Sequence, residues 1–172
     1  MRYWLYKNNS IDGGPAGYRG DWLKEVFTKK GPVRWGGHYS TESYEVAKHL
    51  EQDVTVGDVV AAYQTDITSV VGFCRVADIK VSSRSHSHST PVGLELHLQP
   101  IAVITPFRIH RYKRGTVLEH SIAVNGPVML RELEPNEMKE LVRISGASKS
   151  VLKGQPPVGG WRPLTRASKS NS

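Results

Sequence analysis

The stretch from Gly57 to Val81 constrains this chain more than any other. A Gly57-Asp58 turn signal leads into the apolar run Val59 to Gln64, and a tight connection around Asp66 to Thr68 follows. Ser69 to Val81 then returns as a second run of β-forming residues. Two neighbouring strands are predicted here, so the core of the domain is expected to be organised on a sheet.

The flanking elements follow from local pattern. Arg2 to Tyr6, rich in Tyr, Trp and Leu, reads as an opening strand that ends at the breaker-rich run Asn8 to Pro15. Asp21 is placed to cap a short helix whose Trp22, Leu23, Val26 and Phe27 fall at helical spacing, and Lys29-Lys30-Gly31-Pro32 stops it. Val33 to Tyr39 reads as a loop. Ser40 and Thr41 then cap a second helix that buries Val46, Ala47 and Leu50.

Ser82 to Pro91 is polar and of low complexity, an expected exposed loop. Leu94, Leu96 and Leu98 alternate with polar residues as a strand with one wet face, and Ile101 to Ile104 extend it after an interruption at Pro100. Pro106 to His120 gives no regular pattern. Asn125-Gly126 signals a turn before a last strand, Val128 to Leu133. Pro135 suits the first turn of a helix that points Met138, Leu141 and Val142 inward and stops at Gly146. This order predicts one α+β domain on a small, strongly bent sheet or barrel flanked by helices.

Charge separates that domain from the C-terminal segment. Of the formal +7, the segment 146–172 supplies five cations (Lys149, Lys153, Arg162, Arg166 and Lys169) and no acid, which leaves residues 1–145 at only +2. The expected organisation is a domain over 1–145 and a flexible basic tail over 146–172, with a polyanion as the natural partner. No apolar run approaches the ~20 residues of a membrane span, and the first residues are too polar for a signal peptide, so no membrane partner and a cytoplasmic location are expected. The single cysteine, Cys74, sits in an apolar stretch and reads as a buried, inert thiol.

Four local patterns are candidates for chemistry. Arg34-Trp35-Gly36-Gly37-His38-Tyr39 can present an indole face to a base, although a Trp in a loop is more often a plug over the core. Tyr63-Gln64-Thr65-Asp66 brings polar groups to the end of an apolar strand, suited to a base edge or to a turn. His110-Arg111-Tyr112-Lys113-Arg114 interleaves an aromatic with cations, as a phosphate-tracking surface or a solvated loop would. His86 and His88 could share one strand edge, but no third ligand lies nearby for zinc. Phosphate-loop, nucleophile-elbow and zinc-protease spacings are missing from the sequence, and no cofactor is expected.

Several of these pieces line up with one family. Tyr3-Trp4-Leu5-Tyr6-Lys7-Asn8, the Trp35-Gly36-Gly37 loop, the block Gly57 to Asp66 with Val70 to Val76, and the closing Pro127 to Met138 resemble the EVE domain of the PUA-like group. That group is related to the YTH readers of methylated adenine. The resemblance spans about residues 2 to 145. It implies a small β-barrel surrounded by helices that reads a modified base in DNA or RNA (a methylated or hydroxymethylated cytosine, or methyladenine) by flipping it into an aromatic pocket.

By that resemblance Trp35 is a stacking wall, Gly36 belongs to its loop, Lys7 and Asn8 border the pocket, and Tyr63, Gln64, Thr65 and Asp66 form its rim. Arg34, His38, Arg111, Lys113 and Arg114 are then expected on the nucleic-acid backbone. Asn8 stands where the family usually has Ser, and Gln64-Thr65-Asp66 replaces a His-Ser-Asn type of tripeptide. Two alternatives stay open. ASCH domains share the fold and include small amidohydrolases of modified nucleosides, for which Lys7 or Lys24, Thr65 and Glu25 would serve. The other is a protein-interaction adaptor.

Overall fold

The computed structural model describes residues 1–10, 20–35, 53–82, 93–126 and 128–153. Among them six strands form one mixed sheet: β1 (Tyr3–Asn8), β2 (Val33–Trp35), β3 (Val59–Gln64), β4 (Ser69–Ser82), β5 (Gly93–Phe107) and β6 (Leu130–Leu133), in the order β2-β5-β4-β3-β1-β6. β1 and β3 run parallel at the centre, with Tyr3 opposite Val59 and Asn8 opposite Gln64, and the other ladders are antiparallel. The sheet curls into a half-barrel.

Its curl has a local cause. β4 and β5 are long, 14 and 15 residues, and their shared ladder shifts register between Val70 and Gly72, between Phe73 and Cys74, and between Val76 and Asp78. Each bulge bends the pair and increases its twist. Pro100 pairs with Cys74 at one of these irregularities, so the strand runs through the proline without the expected interruption. Gly72 lies at another. A Cβ there would come within 2.3 Å of the Phe27 ring and 2.7 Å of the Ala102 carbonyl oxygen, so only glycine lets both pack against β4.

Alternation along the strands divides the core in two. Trp4, Tyr6, Val60, Ala62, Cys74 and Leu130 face the concave side with Trp22, Trp35, Leu96 and Leu98. Leu5, Val59, Ala61, Phe73 and Leu133 face the other side, where Phe107, Leu118 and the closing helix cover them. Burial of the Cys74 thiol pushes its pKa up, which suppresses the reactive thiolate.

Asp58 ties the two central strands at their start. Its fully buried carboxylate accepts hydrogen bonds from the Arg2 backbone N–H (2.7 Å), Trp4 Nε1 (3.0 Å), the Thr55 backbone N–H (2.9 Å) and Thr55 Oγ1 (3.1 Å). Gly57, at φ +99°, makes the left-handed turn that delivers it.

The helical pieces form largely where local sequence places them. Asp21 accepts from the Lys24 backbone N–H, and Trp22–Val26 forms a single wide turn closed by the Phe27 N–H on the Trp22 carbonyl at 3.0 Å. Ser121 caps one short helical turn, α1 (Ile122–Asn125), where only a turn is expected from sequence. The closing helix, α2 (Pro135–Ser145), buries Met138, Leu141 and Val142 as its spacing predicts and stops at Gly146 with φ +69°.

Other expectations need correction. Val33–Trp35 is an edge strand, because pairing with Leu96 to Leu98 satisfies its backbone. The last strand starts at Leu130 and not at Val128. Pro106 and Phe107 finish β5, after which Ile109 and Leu118 anchor an irregular segment by burial. The body also continues past 145. Val151 is buried, Arg75 Nη2 donates to the Lys153 carbonyl at 2.8 Å, and Tyr3 Oη donates to that of Leu152 at 3.5 Å. A segment this short shows no periodicity, so its docking was hidden. The helix expected over 40–50, nearly all of the loop over 82–91 and the chain after 153 lie outside the described residues, as do His86 and His88. Among the described residues no helix is long and apolar enough to cross a membrane.

Candidate nucleic-acid interface

The parallel pairing of β1 with β3 puts Lys7 beside Tyr63 and Asn8 beside Gln64, and alternation sends these two pairs to opposite faces of the sheet. The residues expected to border one pocket therefore form two clusters at the same sheet end.

The concave cluster is aromatic. Trp35 stacks on Trp22 with ring centroids 4.2 Å apart and planes at 25°, and Tyr6 meets Trp22 edge-on at 5.6 Å. All three rings are fully buried. A Cβ on Gly20 would fall 2.7 Å from Trp35 Cη2 and 3.1 Å from Asn8 Nδ2, so these three residues converge on one point. Trp22 is the residue of this candidate site that sequence reasoning missed: its helical spacing marks it as core, and nothing local says that its ring lies on Trp35.

Asn8 is 1% exposed, and its Oδ1 accepts from the Asn9 backbone N–H at 2.8 Å. That bond fixes the amide orientation and leaves Nδ2 as a donor with no hydrogen-bond partner among the described residues; Trp22 Nε1 is in the same condition. A buried donor left unsatisfied costs about 1–3 kcal/mol, so two of them beside one aromatic stack form an unusual arrangement.

The strand-end polar residues are engaged within the protein. Gln64 Oε1 accepts from the Trp22 backbone N–H at 3.0 Å, and its Nε2 donates to the Gly20 carbonyl at 3.2 Å and to Asp66 Oδ1 at 2.5 Å. Asp66 also accepts from the Ser10 N–H and Oγ. Burial pushes its carboxyl pKa up, but the hydrogen bonds from Gln64 and Ser10 outweigh this and hold it below its ordinary value. Thr65 donates to the Asn8 carbonyl from both its backbone N–H (2.7 Å) and Oγ1 (2.8 Å). Thr65 and Asp66 thus act as the turn that their composition also allowed, and Gln64 clamps Gly20 and Trp22 against the sheet end.

On the convex side Lys7 is 6% exposed, and its Nζ donates to the carbonyls of Val124 at 3.1 Å and of Gly126, at the end of α1. Burial, reinforced by the Arg131 charge, lowers its pKa from 10.5 to about 8. The folded protein therefore binds fewer protons than the unfolded chain between those values, and this group makes stability rise with pH across that window. Lys7→Met should remove the effect. Chemical denaturation at pH 7.5 and 9 should show wild type gaining stability relative to the variant; an unchanged difference would exclude a lowered lysine pKa. Next to it, burial raises the Tyr63 pKa, partly offset by the charge of Arg108.

Arg34, Arg111 and Arg114 are exposed, whereas Lys113 is partly buried and donates to Asn125 Oδ1 at 2.9 Å. Gly36 and His38 lie outside the described residues. The residues considered for an amidohydrolase are each held by another partner. Lys24 pairs with Asp21 at 3.2 Å, Glu25 accepts from the Asp21 N–H, Thr65 is bound to the Asn8 carbonyl, and Lys7 faces the opposite side.

No protein-family model and no curated protein matches the chain. Solved structures do. A protein from Agrobacterium tumefaciens superposes with a TM-score of 0.66 at 18% identity, covering 91% of this chain and 99% of that one. Human THYN1, solved in complex with DNA containing 5-methylcytosine, gives 0.62 at 12% identity, covering 86% and 99%. The Pho92 YTH domain, solved in complex with m6A, gives 0.51 at 8% identity, covering 87% and 85%. At these identities the likeness establishes the fold alone: the half-barrel is the architecture that these structures share.

Proposed function

We propose that this chain, built on the EVE-type half-barrel, reads a modified base in DNA or RNA at the concave end of β1 and β3. Support comes from two neighbours of the same fold, one bound to 5-methylcytosine DNA and one to m6A. The observation that carries the reading on this chain is the pair of buried donors, Asn8 Nδ2 and Trp22 Nε1, that have no partner among the described residues and sit beside the Trp22–Trp35 stack. Donors held this way suit the ring nitrogen and carbonyl acceptors of a base, and an indole suits its face.

Both indoles are fully buried, so a base reaches them only after the chain around them opens. Extrusion from the nucleic acid costs a few kcal/mol, which stacking at ~1–3 kcal/mol and the two new hydrogen bonds must exceed. A methyl group adds only about 0.8 kcal/mol, a several-fold preference.

Asn8→Leu separates this role from a structural one. It removes a donor that destabilises the unliganded fold along with the weak bond to Asn9, so stability should stay within about 1 kcal/mol of wild type. Matched oligonucleotides, unmodified or carrying 5-methylcytosine, 5-hydroxymethylcytosine or N6-methyladenine, would be titrated against both proteins. Wild type should prefer one modification several-fold, and the variant should lose that preference. Equal, salt-sensitive binding of all four by wild type would overturn the reading.

A further inference from the structure

β5 ends at Phe107, which pairs with Val70, and Val70 adjoins the Ser69–Gln64 pair that ends the β3–β4 ladder. The segment after Phe107 therefore leaves the sheet at the end that holds Asn8, Gln64 and the aromatic stack. Arg108 is near enough to Tyr63 in β3 for its charge to act on the phenol.

This segment concentrates the positive charge of the folded body. Residues 108–120 hold Arg108, Arg111, Lys113 and Arg114 against one acid, Glu119, a net +3, while the whole of 1–145 is +2. The carboxylate of Glu119 accepts from the Gly115 N–H at 2.8 Å, and Lys113 is committed to Asn125, but Arg108, Arg111 and Arg114 are exposed. Among them stands Tyr112, 49% exposed, meeting Phe107 edge to face with centroids 5.8 Å apart. The turn beneath it is fixed: Ile109 is buried, and its carbonyl accepts from the N–H groups of Tyr112 (2.9 Å) and Lys113 (3.0 Å).

A half-exposed ring on a rigid turn, with exposed arginines at positions 108, 111 and 114 on either side of it in the chain, fits an unpaired nucleotide. Its base lies on the ring and its phosphates on the arginines, and a base inside a duplex cannot reach such a platform. We infer that Tyr112, with Arg108, Arg111 and Arg114, forms a second binding site for one unpaired nucleotide of a nucleic-acid strand. The site rests on the base-reading function: it gives the strand a second hold at the same sheet end, on the face opposite the aromatic stack.

The test uses unmodified strands, so that base preference plays no part: the full chain is titrated with an oligothymidine ten-mer and with a blunt-ended duplex of two complementary strands. Tyr112→Ala should weaken the single strand by about 5- to 150-fold and leave the duplex within about 2-fold. Tyr112→Phe should bind as wild type does. Arg111→Gln combined with Arg114→Gln should lower the salt slope on the single strand by about 1.4, at roughly 0.7 per lost phosphate contact. Undiminished single-strand binding by Tyr112→Ala, an equal loss on the duplex, or a loss in Tyr112→Phe matching that in Tyr112→Ala would each overturn the inference. A reader that shows no modification preference but keeps the Tyr112 effect would retain this site and lose the base-reading function.

Discussion

Asp58→Ala should destabilise the domain by roughly 3–5 kcal/mol, a large share of the stability of a domain this size. The carboxylate is fully buried and receives four hydrogen bonds, from Arg2 and Trp4 of the first strand region and from Thr55 twice. Removing it takes this acceptor from the buried Trp4 indole N–H and from the Arg2 and Thr55 backbone N–H groups at the edge of the core, and a buried donor that loses its acceptor costs about 1–3 kcal/mol. It also loosens the joint that sets β1 against β3. The measurement is urea denaturation followed by Trp fluorescence, in which the midpoint should fall sharply. Asp58→Asn, which keeps one carbonyl oxygen and the side-chain shape, should lose less. A midpoint for Asp58→Ala close to that of wild type would mean that the parallel strands align without this carboxylate.

Trp35→Ala is expected to cost about 3–5 kcal/mol as well, because a fully buried indole stacked on Trp22 leaves a large void when truncated. Trp35→Phe keeps a ring against Trp22 and should cost less than half as much. Thermal unfolding of the two variants checks both values. This bears on how the candidate site can be tested: binding lost in Trp35→Ala would report an unfolded protein as readily as an empty pocket, and Asn8→Leu is the cleaner probe. If Trp35→Ala unfolded within about 1 kcal/mol of wild type, the stack would be dispensable to the fold, and the indole would serve mainly as a ligand surface.

The three variants bear on different parts of one structure. Asp58 acts at the start of β1 and β3, Trp35 in the concave core, and Asn8 at the far end, where two buried donors have no partner among the described residues. Loss of stability in the first two together with loss of selectivity in the third alone would divide the residues that hold the half-barrel from those that give it a ligand.

Local sequence determined the elements whose signals are local. The Gly57-Asp58 turn, both strands of the Val59–Val81 block, Asp21 at the head of its turn, and the closing helix between Pro135 and Gly146 all form where caps, breakers and periodicity place them. Even Asp58, legible as a turn residue, gave no hint that its carboxylate would be buried under Trp4, because its partners lie up to 56 positions away. The short strand at Trp35 and the docking of Val151 escaped for the same reason: three or four residues carry too little pattern, and only a neighbour's backbone or an open patch of core decides them.

The candidate site shows this division most clearly. Sequence pattern and resemblance singled out Lys7, Asn8, Trp35 and Tyr63 to Asp66 as one group; the fold brings Lys7, Asn8 and Tyr63 to Asp66 to one end of the sheet, and the Trp35 ring reaches Asn8 there from β2 across Gly20. Which face each side chain takes was settled by the parallel register of β1 on β3. A period of two sends Lys7 and Tyr63 under α1 and turns Asn8 and Gln64 toward Trp22 and Trp35. Residue type and order supply the groups that a base could meet; strand register, a long-range property, decides which of them share a face.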